Sequence, residues 1–192
     1  YRAHDPVLKR PVAIKLLRAS SKSSAGSGGE ARLIREAQAM ARLSHPNILT
    51  VYEVTRHEGE VMIVMELVEG KTLTDTLKQP MPLRELLNLF LQAAQGLDHA
   101  HRAGLLHRDF KPDNVLVDAE GRVRIMDFGL ARYTSCGEEN LGGTNSQGEA
   151  VPIDLSTPMT RTGAIMGTPA YMSPEQWQGA HVDAPSDQFA FC

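Results

Sequence analysis

HRDFKPDN, His107 to Asn114, with DFG following at Asp127 to Gly129, is the stretch from which the rest of the chain can be read. Between the two motifs lie short apolar runs, Val115 to Val117 and Arg122 to Ile125, on either side of a turn at Ala119-Glu120-Gly121. Such runs bounded by turn formers read as a hairpin, whose two ends meet. Asp109, Lys111, Asn114 and Asp127 are thereby brought to one place. Taken singly, each aspartate is an ordinary turn or cap residue, because its short carboxylate bonds nearby backbone N–H groups. Their convergence at one end of a hairpin is what raises them to a candidate site.

Working upstream, Pro11 to Leu17 (PVAIKLL) reads as a buried strand with Lys15 inside it. A buried ammonium needs an anionic partner, since leaving it unpaired is costly. A Ser/Gly tract from Ala19 to Gly29 reads as a loop, and Glu30 to Leu43 as a helix with Leu33, Ala37, Met40 and Leu43 on one stripe and Glu36 aboard. HPNI, His45 to Ile48, ends that helix. Two strands, Leu49 to Arg56 and Val61 to Leu67, then flank a turn at His57 to Glu60. From Pro82 onward, Leu83, Leu86, Leu87, Phe90, Ala94, Leu97 and His101 recur at helical spacing, which predicts one long amphipathic helix with those residues inward.

Downstream, Thr134 to Thr157 is rich in Gly, Ser, Glu, Asn and Pro without periodicity and reads as a long surface loop. The chain has 192 residues, a formal charge of -3 and two cysteines. The charge gives no basic field for nucleic acid, so no nucleic-acid partner is expected. Two cysteines, Cys136 and Cys192, supply neither a disulfide framework nor a thiolate metal site, which favours a reducing, cytoplasmic setting. His99, His101 and His107 lie close in sequence, but structural roles suit them better than metal ligation.

In order and interval, VAIK at Val12 to Lys15, the helical Glu36, HRDFKPDN, DFG, and SPE at Ser173 to Glu175 resemble the motifs of the serine/threonine protein kinase catalytic domain, in its bacterial form. The resemblance covers the whole chain. It implies a bilobal α+β fold, with a β-rich small lobe over residues 1–68 and a helical large lobe over 69–192, an activation segment at about 127–175, and ATP between the lobes. It implies that Lys15, oriented by Glu36, holds the α and β phosphates. Asp127 and Asn114 would hold Mg²⁺, with Mn²⁺ as the alternative. Asp109 would take the proton of a protein serine or threonine hydroxyl, and Lys111 would neutralise the transferring phosphate. Met65 would be the gatekeeper, Glu66 and Val68 would read adenine through their backbone, and Ala13 and Leu116 would sandwich the ring.

The resemblance also implies that Thr168 bonds Asp109 and Lys111, and that Arg108 pairs with a phosphorylated Thr162 or Thr160. Asp187 matches the aspartate that braces the catalytic loop, and His107 the histidine packed beneath Phe128. The glycine-rich phosphate loop is expected upstream of Tyr1, and the later helices, with the arginine that pairs with Glu175, beyond Cys192. The reading is therefore of a domain truncated at both ends, expected to aggregate or partly unfold alone; a cooperative, reversible melt would contradict that. A membrane anchor, if there is one, would lie outside these residues. Two rivals are weighed. A small-molecule phosphotransferase fits poorly with Lys111 and the stretch ending in SPE. A pseudokinase-type nucleotide-binding scaffold fits poorly with a full set of Lys15, Glu36, Asp109, Asn114 and Asp127.

Overall fold

The computed structural model describes residues 1–17, 28–57, 60–128 and 169–192; of residues 28–33 and 36 it describes the backbone alone. Four strands form an antiparallel sheet in the order β1-β2-β4-β3: β1 (Arg2–Asp5), β2 (Arg10–Leu17), β3 (Val51–His57) and β4 (Glu60–Glu66). Helix α1 (Gly28–Ala41) packs beside β3. A turn between β1 and β2 is fixed by Asp5, whose Oδ1 accepts from the N–H groups of Val7 and Leu8. In the β2–β4 register Ala13 faces Met65 and Lys15 faces Ile63, which aligns the strand carrying the lysine with the strand that ends at Glu66.

A second sheet, in the order β5-β6-β7, comprises β5 (Gly70–Thr72), β6 (Val115–Asp118) and β7 (Val123–Ile125). Short helix α2 (Leu73–Thr76) follows β5 and is capped by Thr72, whose hydroxyl accepts from the Asp75 N–H. Sequence reading had neither β5 nor α2. Three residues of strand and four of helix carry too little periodicity to register. Gly70 is needed where it stands, since a Cβ there would lie 2.3 Å from the Val117 carbonyl oxygen.

Helix α3 (Leu83–Arg102) is present, but the face it buries differs from the expected stripe. Leu89, Ala93, Gly96, Leu97 and Ala100 are inward, whereas Leu83 and Leu87 are 68% and 59% exposed. The helix is apolar on nearly all sides, and a pattern weighted by large residues passes over the small ones that let a neighbouring backbone approach. Against those small residues lies β7, with the segment Asn47 to Leu49 running beside it. Leu49 N–H donates to the Ile125 carbonyl (2.8 Å) and Ile125 N–H to the Asn47 carbonyl (2.9 Å). The Asn47 side chain donates to Gln92 and to the Val123 carbonyl, and Gln92 donates to the Gly121 carbonyl.

A Cβ on Gly96 would meet Ile125 Cδ1 at 2.8 Å and the Asn47 carbonyl oxygen at 2.9 Å. Alanine gains helix propensity, but the clash with fixed backbone outweighs it. Gly96→Ala in the full-length protein is expected to cost about 1–3 kcal/mol net. A thermal melt reads the loss, and an unchanged or raised midpoint would refute this packing.

Two helices complete the described fold. Helix α4 (Pro174–Trp177) has a capping box formed by Ser173 and Gln176, and α5 (Ala184–Phe191) is capped by Asp183. The core runs continuously from Leu17, Ala37, Met40 and Leu43, through Ile63 and Met65, to Leu73, Leu97, Val115, Ile125 and Phe128. Met40, Leu43 and Phe128 therefore share one core, as expected of a packing set.

Candidate active site

The catalytic stretch is pinned from three directions. Asp187, on α5 and 1% exposed, accepts from the backbone N–H of His107 (2.7 Å) and of Arg108 (2.6 Å). Gln176 donates through Nε2 to the Arg108 carbonyl (2.7 Å). The His107 ring lies 4.8 Å from that of Phe128 and faces the Met126 carbonyl through Nε2 (3.0 Å). Arg108 and Asp127 both have φ of 65°, a left-handed conformation that non-glycine residues adopt at a cost. At Arg108 the bonds to both sides of the residue hold that conformation in place.

His107 is fully buried. Its Nδ1 accepts from the Asp109 N–H while its Nε2 donates to the Met126 carbonyl, so the ring is neutral. Burial lowers its pKa, opposed by the nearby Asp187 charge. Below the ordinary imidazole value of about 6.5 the unfolded chain takes up a proton that the folded chain refuses. The folded state should therefore lose stability as pH falls through that value. Denaturant midpoints at stepped pH in the wild type and in a His107→Phe variant test it; equal acid sensitivity of the two would contradict it.

On this frame the hairpin end assembles as the sequence predicts. Lys111 Nζ lies 3.0 Å from Asp109 Oδ2. Asn114 donates through Nδ2 to the Asp109 carbonyl (2.8 Å) and to Asp109 Oδ2 (3.2 Å), and its own carbonyl accepts from Met126 N–H, beside Asp127. Lys15 comes from the other sheet, with Nζ 2.6 Å from Asp127 Oδ1. Its anionic partner among the described side chains is thus Asp127. Glu36 lies on α1, but its side chain is outside the described residues, as are Thr160, Thr162 and Thr168. Asp127 and Asn114 bring carboxylate and amide oxygens to one corner, a donor set that suits a hard divalent cation.

Met65 is buried opposite Ala13, and Glu66 ends β4 with its N–H bonded to the Thr50 carbonyl (2.9 Å), so the Glu66 carbonyl is the group left for a ligand. Val68 follows, partly buried against the core. Leu116 stands opposite Arg124 in the β6–β7 register.

Two expectations change. His101 is no member of an apolar stripe: its Nε2 meets Asp187 Oδ2 at 2.8 Å, a polar contact that periodicity does not distinguish from burial. Glu175 has a partner among the described residues, since the Ser186 hydroxyl donates to its Oε1, and that bond lowers the pKa of its carboxyl. Sequence reading also missed Gln176, whose only signal is its place three residues after Ser173 in a capping box.

The protein kinase domain family profile matches residues 1–192. A probable serine/threonine-protein kinase of Streptomyces coelicolor is 38% identical over 99% of this chain and 26% of its own length. The serine/threonine-protein kinase PknB of Mycobacterium leprae is 38% identical over 98% of the chain and 28% of its own, and PrkC of Bacillus subtilis 35% over 99% and 26%. The chain thus spans about a quarter of the length of these curated relatives. Among solved structures, the Mycobacterium tuberculosis PknI kinase domain superposes with a TM-score of 0.70 at 29% identity, covering all of this chain and 64% of that one. Profile, relatives and superposition agree on one assignment: the chain belongs to the protein kinase domain family.

Proposed function

We propose that these residues carry the phosphoryl-transfer site of a protein serine/threonine kinase that uses ATP, with residues 1–68 forming the small lobe and 69–192 part of the large one. The observation that carries this reading is the 2.6 Å pairing of Lys15 with Asp127, from opposite sheets, beside the cluster of Asp109, Lys111 and Asn114. In-line transfer of a phosphoryl group needs little covalent help from a protein. It needs cations against the phosphate oxygens, carboxylates to hold further cations, and a fixed base.

Lys15 would exchange its Asp127 contact for the phosphate oxygens of the nucleotide, with Glu36 orienting it. Asp127 and the oxygen of Asn114 would hold Mg²⁺, or Mn²⁺ in its place, which supplies neutralisation of phosphate charge. Asp109 would accept the hydroxyl proton, and Lys111, already 3.0 Å from it, would face the transferring group. Ala13 and Leu116 would enclose adenine, with Met65 behind it and the backbone of Glu66 and Val68 along its edge. Thr168 would contact Asp109 and Lys111, and Arg108 would receive a phosphate on Thr162 or Thr160. We place this chemistry in the cytoplasm, on Ser/Thr hydroxyls of protein substrates that include the protein itself.

The test uses the full-length protein, γ-labelled ATP, Mg²⁺ and a serine/threonine-containing protein acceptor, followed by acid hydrolysis. Labelled phosphoserine or phosphothreonine is expected. Nucleotide binding with no label on protein would overturn the kinase reading.

A further inference from the structure

We propose that Arg124 is a positioning residue for nucleotide binding, holding the end of β4 to β7 so that the Glu66 carbonyl and the Leu116 side chain keep a fixed separation. This rests on the kinase reading above. Three segments distant in sequence meet at Glu66. Its Oε1 lies 3.7 Å from Arg124 Nε, and its Oε2 accepts from Thr50 N–H at 3.4 Å. Its own N–H donates to the Thr50 carbonyl. The Arg124 and Glu66 side chains are 14% and 27% exposed, so the pair is shielded more than a surface ion pair is. Arg124 is anchored by its own sheet as well, with Nη1 donating to the Val123 carbonyl (3.2 Å).

The placement of the two ends gives the pair its consequence. Glu66 closes the strand opposite Val12, one step from the Ala13–Met65 pair. Arg124 stands opposite Leu116 and three residues before Asp127. A planar base held between Ala13 and Leu116 and bonded at the Glu66 carbonyl needs both sheets at one spacing, and the Glu66–Arg124 pair joins them at the point where that spacing is set. Fixing geometry, more than adding net stability, is what a partly buried ion pair does best. Its loss should therefore appear in nucleotide affinity and leave the transfer step alone, because Asp109, Lys111 and Asn114 are held by Asp187 and Gln176 and not by Arg124.

The experiment measures Kd for a fluorescent ATP analogue, KM for ATP, kcat and the melting midpoint in the full-length protein. Variants are Arg124→Met, Arg124→Lys, Glu66→Gln and the double Glu66→Gln with Arg124→Met. Arg124→Met is expected to raise Kd and KM about threefold to tenfold with kcat within about twofold, and Arg124→Lys to recover most of the loss. The double variant should be no weaker than the worse single one, which shows that the two act together. Unchanged Kd, or kcat and midpoint falling together without a change in Kd, would overturn the proposal. A wild type that binds the analogue without transferring phosphate would overturn the kinase reading while the Kd series still decides the role of Arg124. A wild type that binds no nucleotide overturns both.

Discussion

Asp109→Asn in the full-length protein is expected to bind Mg-ATP about as tightly as wild type and to transfer phosphate about 10²–10⁴-fold more slowly, the range that a positioned proton acceptor supplies. The substitution keeps the shape of the side chain and removes only its capacity to take a proton. Asp109 Oδ2 now sits between Lys111 Nζ at 3.0 Å and Asn114 Nδ2 at 3.2 Å, so both neighbours hold one oxygen and leave the other for a substrate hydroxyl. With asparagine, an amide can still accept from one of them but cannot act as base. Steady-state kinetics separate the outcomes. A fall in kcat with KM for ATP within about twofold is the expected result; a rise in KM with kcat retained would show that Asp109 binds and does not react.

Asp187→Ala is expected to show the largest loss of stability. Removing the side chain strips the partner from the His107 and Arg108 N–H groups and from His101 Nε2 in one step. A buried donor left without a partner costs about 1–3 kcal/mol, and a broken buried charge network about 3–5 kcal/mol in all. Arg108 would also lose one of the two bonds that hold its φ of 65°. Phosphate transfer should fall well beyond what the unfolded fraction accounts for, because the following residue is Asp109. Denaturant midpoints with activity measured at a temperature where the variant is folded test both parts. A midpoint near wild type, or full activity in the folded variant, would show that Asp187 does not brace this loop.

The hairpin and its catalytic end were legible because turn chemistry and charged residues fall at fixed intervals there. Lys15 needed an anion, and the strand that carries it was plain from its β-branched residues. The anion it meets in the structure, Asp127, is the pairing that sequence distance hides. The inward face of α3 was misread because Ala93, Gly96 and Ala100 carry little hydrophobic weight, yet their smallness is what admits β7 and the Asn47 backbone. His101 and Gln176 escaped for the same kind of reason. One lies among apolar neighbours and the other follows a proline in a four-residue helix, and only tertiary contact with Asp187 and Arg108 gives either a role. Asp187 was found from its motif alone, since an aspartate early in a helix otherwise reads as a dipole or cap residue.

The central claim is that Lys15 and Asp127, far apart in sequence and 2.6 Å apart in the fold, hold one nucleotide and its metal. Titration of ATP into the full-length protein, with and without Mg²⁺, for wild type, Lys15→Met, Asp127→Asn and the double variant, tests it most directly. Each single variant should weaken Mg-ATP binding about tenfold or more, the double should lose less than the product of the two, and the Mg²⁺ dependence should vanish with Asp127→Asn. Binding that is indifferent to either residue, or Mg²⁺ dependence that survives the loss of Asp127, would contradict the account.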